Sequence, residues 1–441
     1  MTSQLSDIVS SLAHPENVTP SQWSQWIELG TWHRLLVSCY ILESQQALSL
    51  AREPPASLIQ ELGLDLPFPA HTFVWDAYTI NDWASAAQRC SASPQYVFEV
   101  HQESLTTPCD SFQSSLLLAA YYNRFNSSGP YVSAPCVEEI DHLLDASFAT
   151  RQKLLTAKLL QVTPMRSLLA VSGESWILSE KVPSQQAFAA LKTTLRTWVA
   201  QLWSNSSPKS PSVPVKEAIK LAIEILQLAL KEQIEIHAVE MGVDMGIYFA
   251  AVVLWATITA FTTRTEETQQ NAQTMPHSHH QQSISIRSHP GSASVPSTPT
   301  HLQYPYDNHI AVTSSPILST ITGLVHSQPG SPMRHDSLAA TTLLSHEQIM
   351  FDCVSFLPVI SGLASADRFA NHNVQDLGKL QAGCISVLLW VKLQLRGASL
   401  EDQIGLAAWA ITPSRGLGEL LDSVVGSLER ILNRGWTGWG I

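Results

Sequence analysis

This sequence predicts an all-α chain, a multi-helix bundle or array interrupted by one long insertion, on three observations. Apolar residues recur at three- and four-residue spacing in segment after segment. Apart from one short extended stretch, no segment alternates with period two. From residue 263 to about 345 the composition turns to Thr, Gln, Ser, His and Pro, which carries too little apolar surface to offset the entropy of ordering. The expected organisation is a helical unit over 1–262, a disordered linker over 263–345, and C-terminal helices over 346–441 that pack on the first unit.

The first helix is expected from Pro20. Thr19 stands as N-cap, Pro20 occupies the first turn, and Gln22 holds the capping-box position. Within WSQWIELGTWHRLLVSCYILE (23–43), Trp32, Leu35, Leu36 and Cys39 follow the i, i+3, i+4, i+7 rule, and the run from Leu35 to Leu42 is apolar almost all round. That pattern predicts a helix enclosed by others. Pro54-Pro55 ends the pattern, and SLIQELGL supplies a short helical turn. DLPFPAHTFVW (65–75) is expected to be extended, because each proline disfavours helix in the residue before it. Helices follow near Asn81, over 111–125, over 137–163, and over 184–203. The segment after Pro214 carries a stripe of Ala218, Ile219, Ala222, Ile225, Leu226 and Ala229 beneath a charged surface. Beyond the insertion, helical pattern returns in EQIMFDCVSFLPVISGLA, KLQAGCISVLLWVKLQL, EDQIGLAAWAI and ELLDSVVGSLERILNRGW.

IYFAAVVLWATITAF (247–261) holds fifteen uncharged residues, against the roughly 20 that a membrane span needs. Asp244 precedes it, and Arg264, Glu266 and Glu267 follow. A buried core helix is the expected reading, and a membrane anchor is the alternative.

Composition excludes several functions. The chain has 441 residues and a net charge of −12, with only 14% charged residues and no basic patch, so direct nucleic-acid binding is not expected. The six cysteines, at 39, 90, 109, 136, 353 and 384, include no CxxC unit and no zinc-ligand spacing. No cofactor and no metal site are expected. The first residues lack the basic and apolar regions of a secretory signal, so the cysteines read as reduced intracellular thiols.

Reaction machinery is sparse. No phosphate loop and no H-E-x-x-H occur, and neither GESW at 173–176 nor the Gly416-x-Gly418 pair completes a motif. The densest acidic cluster, EEIDHLLD, could set Glu138, Asp141 and Asp145 on one helix face, as a Mg²⁺-dependent helical enzyme requires. A solvated face near a helix N-terminus uses the same residues, and no second acidic motif partners them. His277, His279, His280 and His289 sit in the polar insertion without fixed spacing. Proline-directed sites occur there too, at Thr298, Ser315 and Ser331, with Ser207 and Ser210 upstream; phosphate on any of them would add about −2 charge.

One resemblance covers roughly residues 20–90. Trp23 and Trp26, the His33-Arg34-Leu35 step, Tyr40, Leu66-Pro67-Phe68-Pro69, Trp75-Asp76-Ala77 and Trp83 occur in the order seen in the fungal-specific transcription factor domain. The closing GLGELLDSVVGSLERILNRGW is similar to that family's last helix. The sequence departs from the pattern at His33, which replaces a basic residue, and at Gly30, where a helix former is usual. The resemblance implies an all-helical regulatory domain in the nucleus that controls transcription without being an enzyme. It implies partners among the transcription machinery or its regulators, a small effector held among the helices, and a homodimer as one form of assembly. The family's zinc-binding DNA reader normally lies N-terminal to this domain, and residues 1–20 contain no cysteine. The expectation is therefore a truncated regulator, a fragment of a longer product, or a relative that lost its reader. Each tryptophan, Trp32 included, is expected to anchor core, with Trp436 and Trp439 as candidates for a partner surface.

Overall fold

The computed structural model describes residues 19–50, 66–89, 96–100, 108–127, 140–172, 182–203, 213–232, 243–274, 346–365, 375–396 and 419–434. They contain twelve α-helices and no strand, only an isolated antiparallel bridge between Pro67 and Tyr96. The chain divides into a unit formed by 1–269 and 343–441 and a second unit, 270–342, which lies almost wholly outside the described residues. The insertion, its phosphorylation candidates Thr298, Ser315 and Ser331, its histidines, and Trp436 and Trp439 are outside the description. So are the helical patterns at 57–64 and 401–411.

The helices run α1 (Pro20–Ser49), α2 (Thr72–Trp75), α3 (Ile80–Arg89), α4 (Ser111–Ser127), α5 (Phe148–Val162), α6 (Met165–Ser172), α7 (Gln185–Ala200), α8 (Pro214–Glu232), α9 (Val243–Thr274), α10 (His346–Ser365), α11 (Gln375–Arg396) and α12 (Glu419–Arg434). The capping box opens α1: the Thr19 N–H donates to Gln22 Oε1 at 2.9 Å, and the Gln22 N–H donates to Thr19 Oγ1 at 3.3 Å. Both bonds satisfy donors that a helix start otherwise leaves unpaired.

Two sequence expectations are corrected. The stretch after Pro69 does not stay extended, because residues 72–75 close one helical turn. The Asp110 carboxylate pins that turn, accepting from the Thr72 N–H and, at 2.7 Å, from the Thr72 hydroxyl. The helix expected over 137–163 starts only at Phe148, with Ser147 as its cap. Residues 140–143 form a turn, and Asp145 accepts the Ser147 N–H and the Thr150 hydroxyl, which anchors the cap. Residues 137–139 are outside the description.

The core has three parts. The largest draws on α5 through α12, and the C-terminal helices α10, α11 and α12 share it with α8 and α9. A smaller cluster joins Val37, Tyr40 and Ile41 of α1 to Leu66, Phe68, Leu116, Leu117 and the turn at Ile140–Leu144. The smallest is aromatic and joins Trp26 to Val74, Trp83 and the alanines of α3.

Helix α9 is the centre of the largest part. Every residue from 245 to 262 is buried, which accords with the core-helix reading of 247–261. Its threonines satisfy themselves, as Thr257 and Thr259 donate to the carbonyls of Val253 and Trp255 at 3.0 and 2.8 Å. Tyr248 Oη and Ser427 Oγ, 3.2 Å apart, link α9 to α12. Glu429 of α12 accepts from Lys392 at 2.9 Å and from Arg396 at 2.6 Å, fastening α11 to α12. A second helix, Glu347–Ala364, also has the length and apolarity of a membrane span, but only a third of it is buried.

Candidate functional site

Five of the resemblance-bearing residues, Trp23, Trp26, Arg34, Trp75 and Trp83, come together in one place. Trp26 of α1 is 3% exposed, and its ring lies 5.7 Å from Trp75 and 5.2 Å from Trp83, tilted to both. Trp23 packs at the edge of this cluster. Gly30 explains itself here: a Cβ at this position would stand 2.9 Å from the Trp75 ring, so α1 can approach α2 only with glycine there. The residue that breaks the family pattern is thus the one that admits Trp75.

Arg34 closes the cluster from one side. Its guanidinium carbon lies 5.0 Å from the Trp75 ring centroid and 4.4 Å from that of Phe112, a cation held between two aromatic rings. Burial draws its pKa down from the ordinary value, while the carboxylates of Asp110 and Asp76 oppose that shift. Its Nη1 is buried without a hydrogen-bond partner. Asp110 is the hub that fixes the geometry: besides Thr72, it accepts the Gln113 N–H at 2.8 Å, and Gln113 Nε2 donates to the Pro69 carbonyl at 2.8 Å. His71 Nδ1 lies 3.6 Å from the Asp110 carboxylate and accepts the Phe73 N–H at 3.3 Å, capping α2.

Pro67 and Pro69 are buried in the extended segment, where the Val97 N–H donates to the Leu66 carbonyl at 3.0 Å. Tyr40, 4% exposed, belongs to the neighbouring cluster. The site therefore consists of packed aromatics, one caged cation and a capping carboxylate. Sequence reading named Trp26, Arg34, Trp75 and Trp83 but missed Asp110, His71 and Phe112. Only the chain's folding brings Asp110 and Phe112 next to Arg34, and His71 next to Asp110.

No reaction centre forms among the described residues. The acids of 138–145 do not converge: Asp141 pairs with Lys158 at 2.7 Å, Asp145 is spent on the α5 cap, and Glu138 is outside the description. No group of three His, Cys, Asp or Glu side chains is placed to hold a metal among the described residues. Burial pushes the thiols of Cys109 and Cys353 up to about 12, so neither is a nucleophile at neutral pH.

Partial burial alone would raise Asp145, but hydrogen bonds from Ser147, Thr150 and Ser114 hold it below the usual carboxylate value. A depressed carboxyl stabilises the fold above its unfolded pKa of about 4 and loses that contribution as pH falls through the folded value. Asp145→Asn is expected to cost about 1 kcal/mol at pH 7, after allowance for its partial exposure. Denaturation at pH 7 and in steps below pH 4 tests this; a gap to wild type that does not narrow in acid refutes it.

Residues 4–116 match the family model of the fungal specific transcription factor domain. No curated protein and no solved structure gives a significant match. The matched stretch contains the whole aromatic clamp and most of the second cluster, whereas the largest core lies beyond it. The fungal transcription factor domain is a regulatory, non-enzymatic family with a nuclear role.

Two apolar surfaces among the described residues stand open to solvent. The first is a groove of about 590 Å³ between α10 and α11, lined by Phe356, Pro358, Val359, Leu363 and Leu380, with Asp352 and Lys379 at its rim. Val359 in its lining is 54% exposed, and Phe351 and Val354 of the same helix are 65% and 54% exposed. The second is the outer face of α1, and here the sequence expectation fails. Trp32 is 56% exposed, Leu35 52%, Leu36 41% and Leu42 51%, so α1 is not enclosed by other helices. Its buried face is instead Trp26, Val37, Tyr40, Ile41, Ser44 and Ala47. A helix that is apolar all round does not announce which face is inside; the contact with α4 and the seat of Trp75 at Gly30 decide it.

Proposed function

We propose that this chain is the regulatory region of a fungal transcription factor, acting in the nucleus on DNA-templated transcription through contacts with proteins of the transcription machinery or with a small effector. DNA binding falls to a zinc module outside this chain or to a partner, because the net charge of −12 and the lack of a basic patch give the chain itself no means to hold a phosphate backbone. The observation that carries this reading is the family match over 4–116, within which Trp26, Trp75, Trp83 and Arg34 form one packed clamp.

The groove between α10 and α11 suits the regulatory contact. It is apolar at the base with one charge of each sign at the rim, and its volume falls in the range that takes a small ligand. Occupancy would favour one spacing of the two helices and so shift the population of interaction-competent forms. The test fuses the full chain to an unrelated DNA-binding domain in a fungal reporter strain. A several-fold change in reporter output, up or down, is expected, and Val359→Glu is expected to abolish it at equal protein level. Output equal to that of the DNA-binding domain alone overturns the proposal.

A further inference from the structure

The exposed face of α1 is patterned. Glu28, Trp32, Leu35, Cys39, Leu42 and Gln46 are all exposed and succeed one another at intervals of four and three residues in alternation. That is the spacing of one continuous helix face, and Trp32, Leu35 and Leu42 on it give that face the apolar centre a helix–helix seam needs. Ile27 and Leu36, 39% and 41% exposed, flank it. The only charged side chain on the seam is Glu28.

We infer that two copies of this chain pair through α1, antiparallel about a two-fold axis near Val37. In that register Trp32 faces the partner's Leu42, Leu35 faces the partner's Cys39, and Glu28 faces the partner's Gln46. Each contact occurs twice, as an isologous interface requires. Large meets medium, apolar meets apolar, and the one carboxylate meets an amide that can donate to it. Leu36 lies beside the axis, against its own copy. The parallel alternative sets Glu28 against Glu28 and Trp32 against Trp32, which is repulsive and overfilled. Opposed helix dipoles favour the antiparallel choice as well.

The area accords with a real but reversible dimer. Five side chains that are 39–56% exposed (Ile27, Trp32, Leu35, Leu36, Leu42) leave on the order of 500 Å² of apolar surface per copy, taking about 200 Å² for a whole large side chain. Two copies then cover about 1,000 Å², near the lower limit for a specific interface. An interface of that size suits a weak, reversible dimer rather than a permanent one.

Sedimentation equilibrium of the full chain across nanomolar to high-micromolar concentration tests the pairing. A concentration-dependent dimer is expected, and Leu35→Glu, a change on the surface that spares the core, is expected to raise its dissociation constant at least tenfold with unchanged helicity. A chain that stays monomeric throughout, or a dimer indifferent to Leu35→Glu, overturns the inference. Mild oxidation tests the direction. Antiparallel packing offsets Cys39 from its symmetry mate by about 6 Å along the axes, and combined at right angles with the gap across the seam this sets their Cα atoms more than about 7 Å apart, beyond disulfide reach. Wild type is therefore not expected to cross-link through Cys39. Leu35→Cys is expected to form a covalent dimer by bonding to the partner's Cys39, mapped by peptide mass, and Leu35→Cys with Cys39→Ser is not. A Cys39–Cys39 cross-link in wild type overturns the antiparallel assignment.

Discussion

Trp83→Ala is expected to destabilise the fold by about 3–5 kcal/mol, a large part of the ~5–15 kcal/mol that holds a typical domain. Trp83 is 0% exposed, and its ring lies 5.2 Å from Trp26, with Ala84, Ala86 and Ala87 of α3 and Val74 completing the cluster. Alanines cannot close over the void that an indole leaves, so the cavity penalty is kept in full. Trp83→Phe is the informative control. The indole Nε1–H is buried with no hydrogen-bond partner, so its removal relieves an unsatisfied donor while the phenyl ring retains most of the contact. The phenylalanine variant is expected to cost no more than about 1.5 kcal/mol. Urea denaturation of the three proteins gives the order. Equal losses in the two variants would mean that the indole nitrogen itself is needed, and Trp83 would then hold a partner instead of a core.

Much of this architecture is legible in the residues because local rules agree with the packing. Thr19-Pro20-Ser21-Gln22 announces the start of α1, and the same capping box appears in atomic detail. The stripe from Ala218 to Ala229 is the buried face of α8. The uncharged run 247–261 reads as a core helix; the helix around it, Val243–Thr274, is longer than the run and long enough for a bilayer, but residues 245–262 are all buried inside the fold. Where tertiary contacts overrule local preference, the reading fails. Nothing near Thr72 suggests a helical turn, because the carboxylate that holds it belongs to Asp110. Nothing near Arg34 identifies Phe112 as the second ring of its cage. On α1, apolar residues on both faces satisfy the helical period equally, so the core face and the open seam exchange places.

Gly246→Ala is expected to cost about 2 kcal/mol, although alanine is the better helix former by about 1 kcal/mol. Gly246 lies in the buried stretch of α9, and a Cβ there would stand 2.2 Å from Thr156 Oγ1 and 3.4 Å from Thr156 Cβ on α5. No real contact is that short, so either α9 moves away from α5 or the threonine turns. Thr156 is 0% exposed, and its hydroxyl donates to the Gln152 carbonyl at 2.8 Å, so turning forfeits that bond inside a packed core. The helical gain is therefore smaller than the steric and polar loss. Thr156→Ala alone is expected to cost about 1 kcal/mol for its lost atoms, because its hydroxyl serves only its own helix. The double variant exchanges one side chain's volume for the other's and is expected to stay within about 1 kcal/mol of wild type. The resulting coupling of about 2 kcal/mol is well above what distant sites show. Thermal or urea denaturation of the four proteins completes the cycle. Additive losses would mean that the spacing of α5 and α9 is not set at this crossing, and that the glycine serves some purpose other than the close approach of two buried helices.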